Sequence, residues 1–127
     1  MEVQSQKARA ELLRRMHHDS RPLVLPNVWD AASAAIVAGA GFGAIATTSS
    51  GVAAALGYVD GERISREMLV AATGRVTRVV ACPVTVDIEA GYGDSIDEVL
   101  QTVREVIATG AVGFNIEDSR VAEGSVG

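Results

Sequence analysis

Residues 83–95, Pro83-Val84-Thr85-Val86-Asp87-Ile88-Glu89-Ala90-Gly91-Tyr92-Gly93-Asp94-Ser95, read as a strand, a glycine turn and a helix start. Pro83 to Ile88 is a short, mainly apolar run with the look of a buried strand, and Gly91-x-Gly93 breaks it. Ser95 with Glu98 three residues on forms a capping box for a helix through Ala108. Gly110 closes that helix, and Gly113 to Glu117 starts a further strand. Asp87 and Glu89 stand two apart at the strand mouth, and side chains at that spacing share one strand face. Two like charges there are costly unless a cation neutralises them. A hard divalent metal such as Mg2+ suits oxygen ligands of this kind. A pair of solvated acids is the alternative, and at this point both readings stand.

The same unit recurs along the chain. Residues 4 to 18 form a polar helix with Leu12, Leu13 and Met16 as its apolar stripe, followed by Leu23 to Pro26 as a first strand. Asp30 caps a helix through about Ala38, which ends in Gly39-Ala40-Gly41. Ala44 to Thr47 is a second strand, and it opens into a long loop from Thr48 to Arg63. Ser65 caps a helix over Arg66 to Val80. Short apolar runs alternating with amphipathic helices predict an α/β fold of parallel β/α units, about four of them behind an N-terminal helix.

Composition agrees. The 127 residues are 48% hydrophobic, chiefly Ala, Val, Ile and Leu, with 13 glycines, which suits close packing of helices on a parallel sheet. A net charge of -5 argues against a general nucleic-acid-binding surface. The single cysteine, Cys82, excludes an intramolecular disulfide and is expected to be a buried structural thiol. The first residues lack the apolar core of a signal peptide, and no apolar stretch is long enough to cross a bilayer. A cytoplasmic protein with no membrane partner is the expectation.

In parallel α/β architectures, function collects at the carboxyl ends of strands. Four polar clusters fall there: Asn27 to Asp30, Thr47 to Gly51, Asp87 with Glu89, and Asn115 to Asp118. The hydroxyl-rich turn Thr48-Ser49-Ser50-Gly51 can offer N–H and hydroxyl donors to a carboxylate or phosphate. Asp30 reads as a helix cap, His17 and His18 as solvated, and Trp29 as packing against the first helix.

Five segments in order resemble the isocitrate lyase / phosphoenolpyruvate mutase family: 26–31, 41–53, 56–61, 87–93 and Ile116-Glu117-Asp118. The resemblance covers about residues 10 to 120. It implies the N-terminal half of a TIM (β/α)8 barrel carrying Mg2+, with Mn2+ as a substitute, at its carboxyl end. It also implies bond cleavage or formation next to a 2-oxo acid by way of a pyruvate enolate, in a homo-oligomer. By position, Asp87 would be the direct metal ligand, and Asp60, Glu89 and Glu117 would hold the metal's waters. Thr48, Ser49, Ser50 and Gly51, with Asp60 beside them, would take the substrate's carboxylate and oxo group.

Two departures shape that expectation. Glu89 stands where many members carry a second Asp. Lyases of the family also carry a Lys-Arg-Cys-Gly loop whose cysteine is the acid, whereas this chain reads Ser119-Arg120-Val121-Ala122-Glu123-Gly124-Ser125-Val126-Gly127. A decarboxylase, another acyl-pyruvate lyase or a phosphonate-type activity therefore stays in view. A full barrel needs about 250 residues, so residues 1–127 are expected to form one partial barrel domain with little turnover by itself. Two alternatives accompany this reading: an inactive half-barrel that pairs with itself or a complementary half, and a flavodoxin-like phosphoryl-binding domain.

Overall fold

The computed structural model describes residues 4–119. Its strands are β1 (Asn27–Val28), β2 (Ile45–Thr47), β3 (Val84–Asp87) and β4 (Gly113–Asn115). They pair in parallel in the order β1-β2-β3-β4, with Val28 opposite Thr47, Ile45 opposite Val84 and Asp87 opposite Asn115. Strands consecutive in sequence therefore lie side by side, each joined to the next through helix. A flavodoxin-like sheet would place its second strand at the edge, so that alternative is overturned by the strand order.

Helices α2 (Ala31–Gly39), α4 (Arg66–Val79) and α5 (Ile96–Ala108) accompany the sheet, with α2 packed on α4 and α4 on α5. Val28, Ile45, Val86 and Ile88 are fully buried, and Ala34, Leu69, Val76 and Val106 pack with them in the core. Each full burial of such an aliphatic side chain contributes about 1.5–3 kcal/mol. The preceding helix α1 (Gln6–His17) starts at Ser5, whose hydroxyl accepts the Ala8 N–H. It crosses the amino ends of the strands. Leu13 sits against Gly113 and Met16 against Gly43, while the Gln6 amide donates to the Ile107 and Ala111 carbonyls.

The capping signals act as read. The Asp30 carboxylate accepts the Ser33 N–H at 2.7 Å and Ser33 Oγ accepts the Asp30 N–H. The Ser95 hydroxyl accepts the Glu98 N–H while the Glu98 carboxylate accepts those of Ser95 and Asp94. These donors hold both carboxyls below the usual range, the Ser33 amide foremost for Asp30 and the Ser95 amide foremost for Glu98. A carboxyl depressed in the folded state contributes stability that is lost as pH falls through its folded value. The urea midpoint is therefore expected to drop below about pH 4. The Asp30→Asn/Glu98→Gln double variant, which keeps the caps and removes the titration, should show a flatter acid limb.

Three local expectations need correction. The first strand is Asn27–Val28, not Leu23 to Pro26, because Pro26 has no N–H and contributes only its carbonyl, to the Ala46 N–H. The supposed loop from Thr48 contains helix α3 (Ser49–Ala55), held by the burial of Ser49, Val52 and Ala53 on one face. Trp29 lies at the carboxyl end of β1 against Gly51, at the opposite end of the strands from α1. Cys82 is half-buried, and burial pushes its thiol up, away from nucleophile character. Of the segment set against the family's cysteine loop, Arg120 to Gly127 lie outside the described residues. No helix among the described residues is long and apolar enough to cross a membrane.

Candidate functional site

Asp87 is the last residue of β3, and its half-buried carboxylate is aimed by three neighbours. Its own N–H donates to Thr47 Oγ1 at 3.0 Å, which ties it to the end of β2. Its Oδ2 accepts the Ser49 N–H at 3.2 Å, and its Oδ1 accepts the Glu89 N–H at 2.9 Å. A carboxylate offers about four lone-pair positions, so each oxygen keeps one free. The Ser49 amide opens α3, whose first turn carries the positive end of the helix dipole. Thr48 makes no side-chain cap there. The Thr48-Ser49-Ser50-Gly51 segment is thus a helix start pressed against Asp87 rather than an open turn. Gly51 has a packing reason as well: a Cβ there would meet Thr48 Cγ2 at 2.7 Å and Trp29 Cβ at 3.2 Å.

Asp87 and Glu89 do meet, though not through a shared strand face. The strand ends at Asp87, and Glu89 takes a left-handed backbone with φ 51°. Its carboxylate turns to the Asp60-Gly61-Glu62 segment, where Oε1 accepts the N–H groups of Gly61 at 3.0 Å and Glu62 at 2.9 Å. Oε2 accepts the Tyr92 hydroxyl at 2.8 Å. The Glu62 carboxylate reaches back to accept the N–H groups of Ala90 and Tyr92. Glu89 is only 7% exposed, and burial pushes its carboxyl above the usual range, with the Asp60 carboxyl adding to the push. Burial and the Glu89 carboxylate together raise the Tyr92 phenol far above its ordinary value.

Glu117 follows β4 on the surface. Its N–H donates to the Glu89 carbonyl at 2.7 Å, so its backbone is tied to the same corner, while its carboxylate accepts the Ser119 hydroxyl. The structure thus ties Asp87 to the Glu89 backbone, turns the Glu89 carboxylate toward the segment that follows Asp60, and sets Glu117 on the adjoining strand end. Among the described residues no three acidic, imidazole or thiol groups converge into a cage. The ion pairs among those residues, Arg21–Asp19 and Arg66–Glu105, lie elsewhere. Glu62 and Tyr92 are not among the sequence candidates. Their position inside the two acidic turns is the only available signal.

This donor set fits Mg2+. The ion binds through one or two carboxylates and keeps several waters, so Asp87 with its free lone pairs suffices as a direct ligand. An acidic corner with Asp60 pressing on a buried Glu89, and no basic side chain paired to either among the described residues, is what a cation would relieve.

The family model for phosphoenolpyruvate phosphomutase matches residues 13–126. A solved structure from Burkholderia cenocepacia, provisionally described as a phosphonomutase, superposes with TM-score 0.88 at 44% identity, covering 92% of this chain and 48% of that one. A 2-methylisocitrate lyase from Aeropyrum pernix is 34% identical over 84% of this chain and 34% of its own length. An oxaloacetate decarboxylase from a Bradyrhizobium species is 35% identical over 89% of this chain and 39% of its own. The chain thus spans less than half the length of each of these proteins. Its four-stranded parallel sheet corresponds to the N-terminal part of a TIM-barrel fold.

Proposed function

Since the chain belongs to the phosphoenolpyruvate phosphomutase family, we propose that it carries the metal- and carboxylate-binding side of a lyase or mutase site. The substrate would be a 2-oxo acid or a related small carboxylate, processed through a pyruvate enolate. The observation that supports this most is Asp87: a strand-end carboxylate with a free lone pair on each oxygen, in an acidic corner with no basic partner among the described residues.

In this reading Asp87 would hold Mg2+ directly, and Asp60, Glu89 and Glu117 would take its waters. A bound cation would supply charge stabilisation to an oxo oxygen as the enolate develops. The chain's own residues do the placing. Thr47 Oγ1 fixes the Asp87 backbone, and the Ser49 amide fixes one carboxylate oxygen. Donors at the start of α3, from Thr48 to Gly51 apart from the Ser49 amide given to Asp87, would take the substrate carboxylate. Glu89 is held in place by its three donors, each of which favours the charged form against the burial that disfavours it. The named activities of the relatives, cleavage of 2-methylisocitrate and decarboxylation of oxaloacetate, both break a bond to carbon beside carboxyl-bearing centres, which suits this placement.

Oxalate is a planar dianion that mimics pyruvate enolate in charge and shape, so it reports on such a site without turnover. Titration of oxalate into the chain by calorimetry is expected to give binding with Mg2+ present and none with a chelator. Equal binding under both conditions would remove the metal from the substrate site.

A further inference from the structure

Two carboxylates cross between the same two turns in opposite directions. Glu89 reaches from the 89–92 turn to the amides of Gly61 and Glu62, and Glu62 reaches from the 60–62 turn to the amides of Ala90 and Tyr92. We propose that Glu62 and Tyr92 are positioning residues that lock these turns into one unit, and so present Asp60 and Glu89 to the site together. The inference rests on the metal reading only for what the unit presents, and the lock itself can be tested without a metal.

Three observations carry it. The first is reciprocity: each carboxylate is received by two backbone amides of the opposite turn, and the Tyr92 hydroxyl occupies the remaining oxygen of Glu89. Bonds from amides to a charged acceptor are the stronger kind. The second is strain. Glu62, Glu89 and Tyr92, with φ of 54°, 51° and 56°, are the non-glycine residues with positive φ among those described, and they are the three members of the lock. Such conformations persist only where the surroundings over-determine them, and they gather at functional sites. The third is placement. Asp60 immediately precedes the two residues whose amides Glu89 holds, so the grip on those amides fixes where Asp60 stands. Two turns that merely needed joining would be joined at lower cost by apolar contact than by two carboxylates in an already acidic corner.

The test measures amide hydrogen exchange without metal and Mn2+ affinity by calorimetry, in the wild type and in Glu62→Ala, Glu62→Gln and Tyr92→Phe. Glu62→Ala removes the acceptor of Ala90 and Tyr92, so their faster exchange is trivial. The informative amide is Gly61, whose acceptor Glu89 is untouched. Gly61 is expected to lose protection together with Ala90, and Mn2+ affinity to fall about tenfold, as for other residues that orient a ligand indirectly. Glu62→Gln, whose amide oxygen accepts the same two N–H groups, should restore both. Tyr92→Phe should weaken Mn2+ severalfold while leaving Ala90 protected. Gly61 protection unchanged in Glu62→Ala would overturn the lock, and released Gly61 with unchanged Mn2+ affinity would reduce it to scaffolding. If the wild type takes up no Mn2+, the metal reading fails and Gly61 exchange alone decides the lock. Should Glu62→Ala not fold, Glu62→Asp, one methylene shorter, carries the same comparison.

Discussion

Glu89→Ala is expected to destabilise the fold by about 2–4 kcal/mol, read as a lower urea midpoint, because three donors lose their acceptor at once. These are the Gly61 and Glu62 amides and the Tyr92 hydroxyl, all partly buried. Water can reach part of this corner, and removing a buried charge beside Asp60 returns some energy, so the loss stays below the sum of three orphaned donors. Glu89→Gln should cost much less, since its carbonyl oxygen can accept both amides and its NH2 can donate to the phenol. The two variants also separate by pH. The folded Glu89 carboxyl titrates above its unfolded value, burial being the main cause. Its charged form is thus disfavoured by folding, and its contribution to stability increases as pH falls toward and through the ordinary glutamate range. That sign is opposite to the one for Asp30 and Glu98. In Glu89→Gln the component disappears, and the acid loss from the two caps should stand out more sharply.

Gly93→Ala is the second large effect, expected to cost about 3 kcal/mol through overpacking and loss of a helix cap. A Cβ at Gly93 would collide with Glu98 Cβ and sit 3.1 Å from the Glu98 carbonyl carbon and 3.2 Å from the Val99 amide nitrogen. None of these atoms is the free end of a flexible chain, and Glu98 is fixed by its capping box. Gly91 is constrained twice, by φ 96° and by Val99 at 2.9 Å. The Gly-x-Gly element therefore serves to seat the start of α5 against the end of β3. Gly74 is the internal control. It lies in the interior of α4, and a methyl group added to its Cα would meet nothing within 4 Å. Gly74→Ala should therefore stabilise by about 0.5–1 kcal/mol through helix propensity. Urea midpoints moving in opposite directions for the two variants would bear out this distinction.

The parts of the fold legible in the sequence are those written in local chemistry. Asp30, Ser65 and Ser95 each mark a helix start because a short oxygen-bearing side chain reaches an amide three residues on, a rule confined to one turn of chain. The runs at Ile45 and Val84 declare buried strands because parallel strands bury both faces. Helix α3 is not legible. Thr48-Ser49-Ser50-Gly51 has poor intrinsic helix preference, and the helix exists because Val52 and Ala53 find a core to enter. The proximity of Asp87 and Glu89 is expected from the sequence for a reason that fails, since a left-handed turn joins them in place of a continued strand. The Glu62–Glu89 exchange is hidden altogether. Its bonds run between side chains and backbone amides 27 to 30 residues apart, and backbone amides carry no sequence mark.

Whether Asp87 is a metal ligand is the central question, and Mn2+ titration of wild type and Asp87→Ala, followed by calorimetry or electron paramagnetic resonance, addresses it most directly. The wild type is expected to bind, and the variant to lose about a hundredfold or more in affinity, because a site that keeps most of its waters has little else to hold the ion. Equal Mn2+ affinity in the two proteins would contradict the assignment.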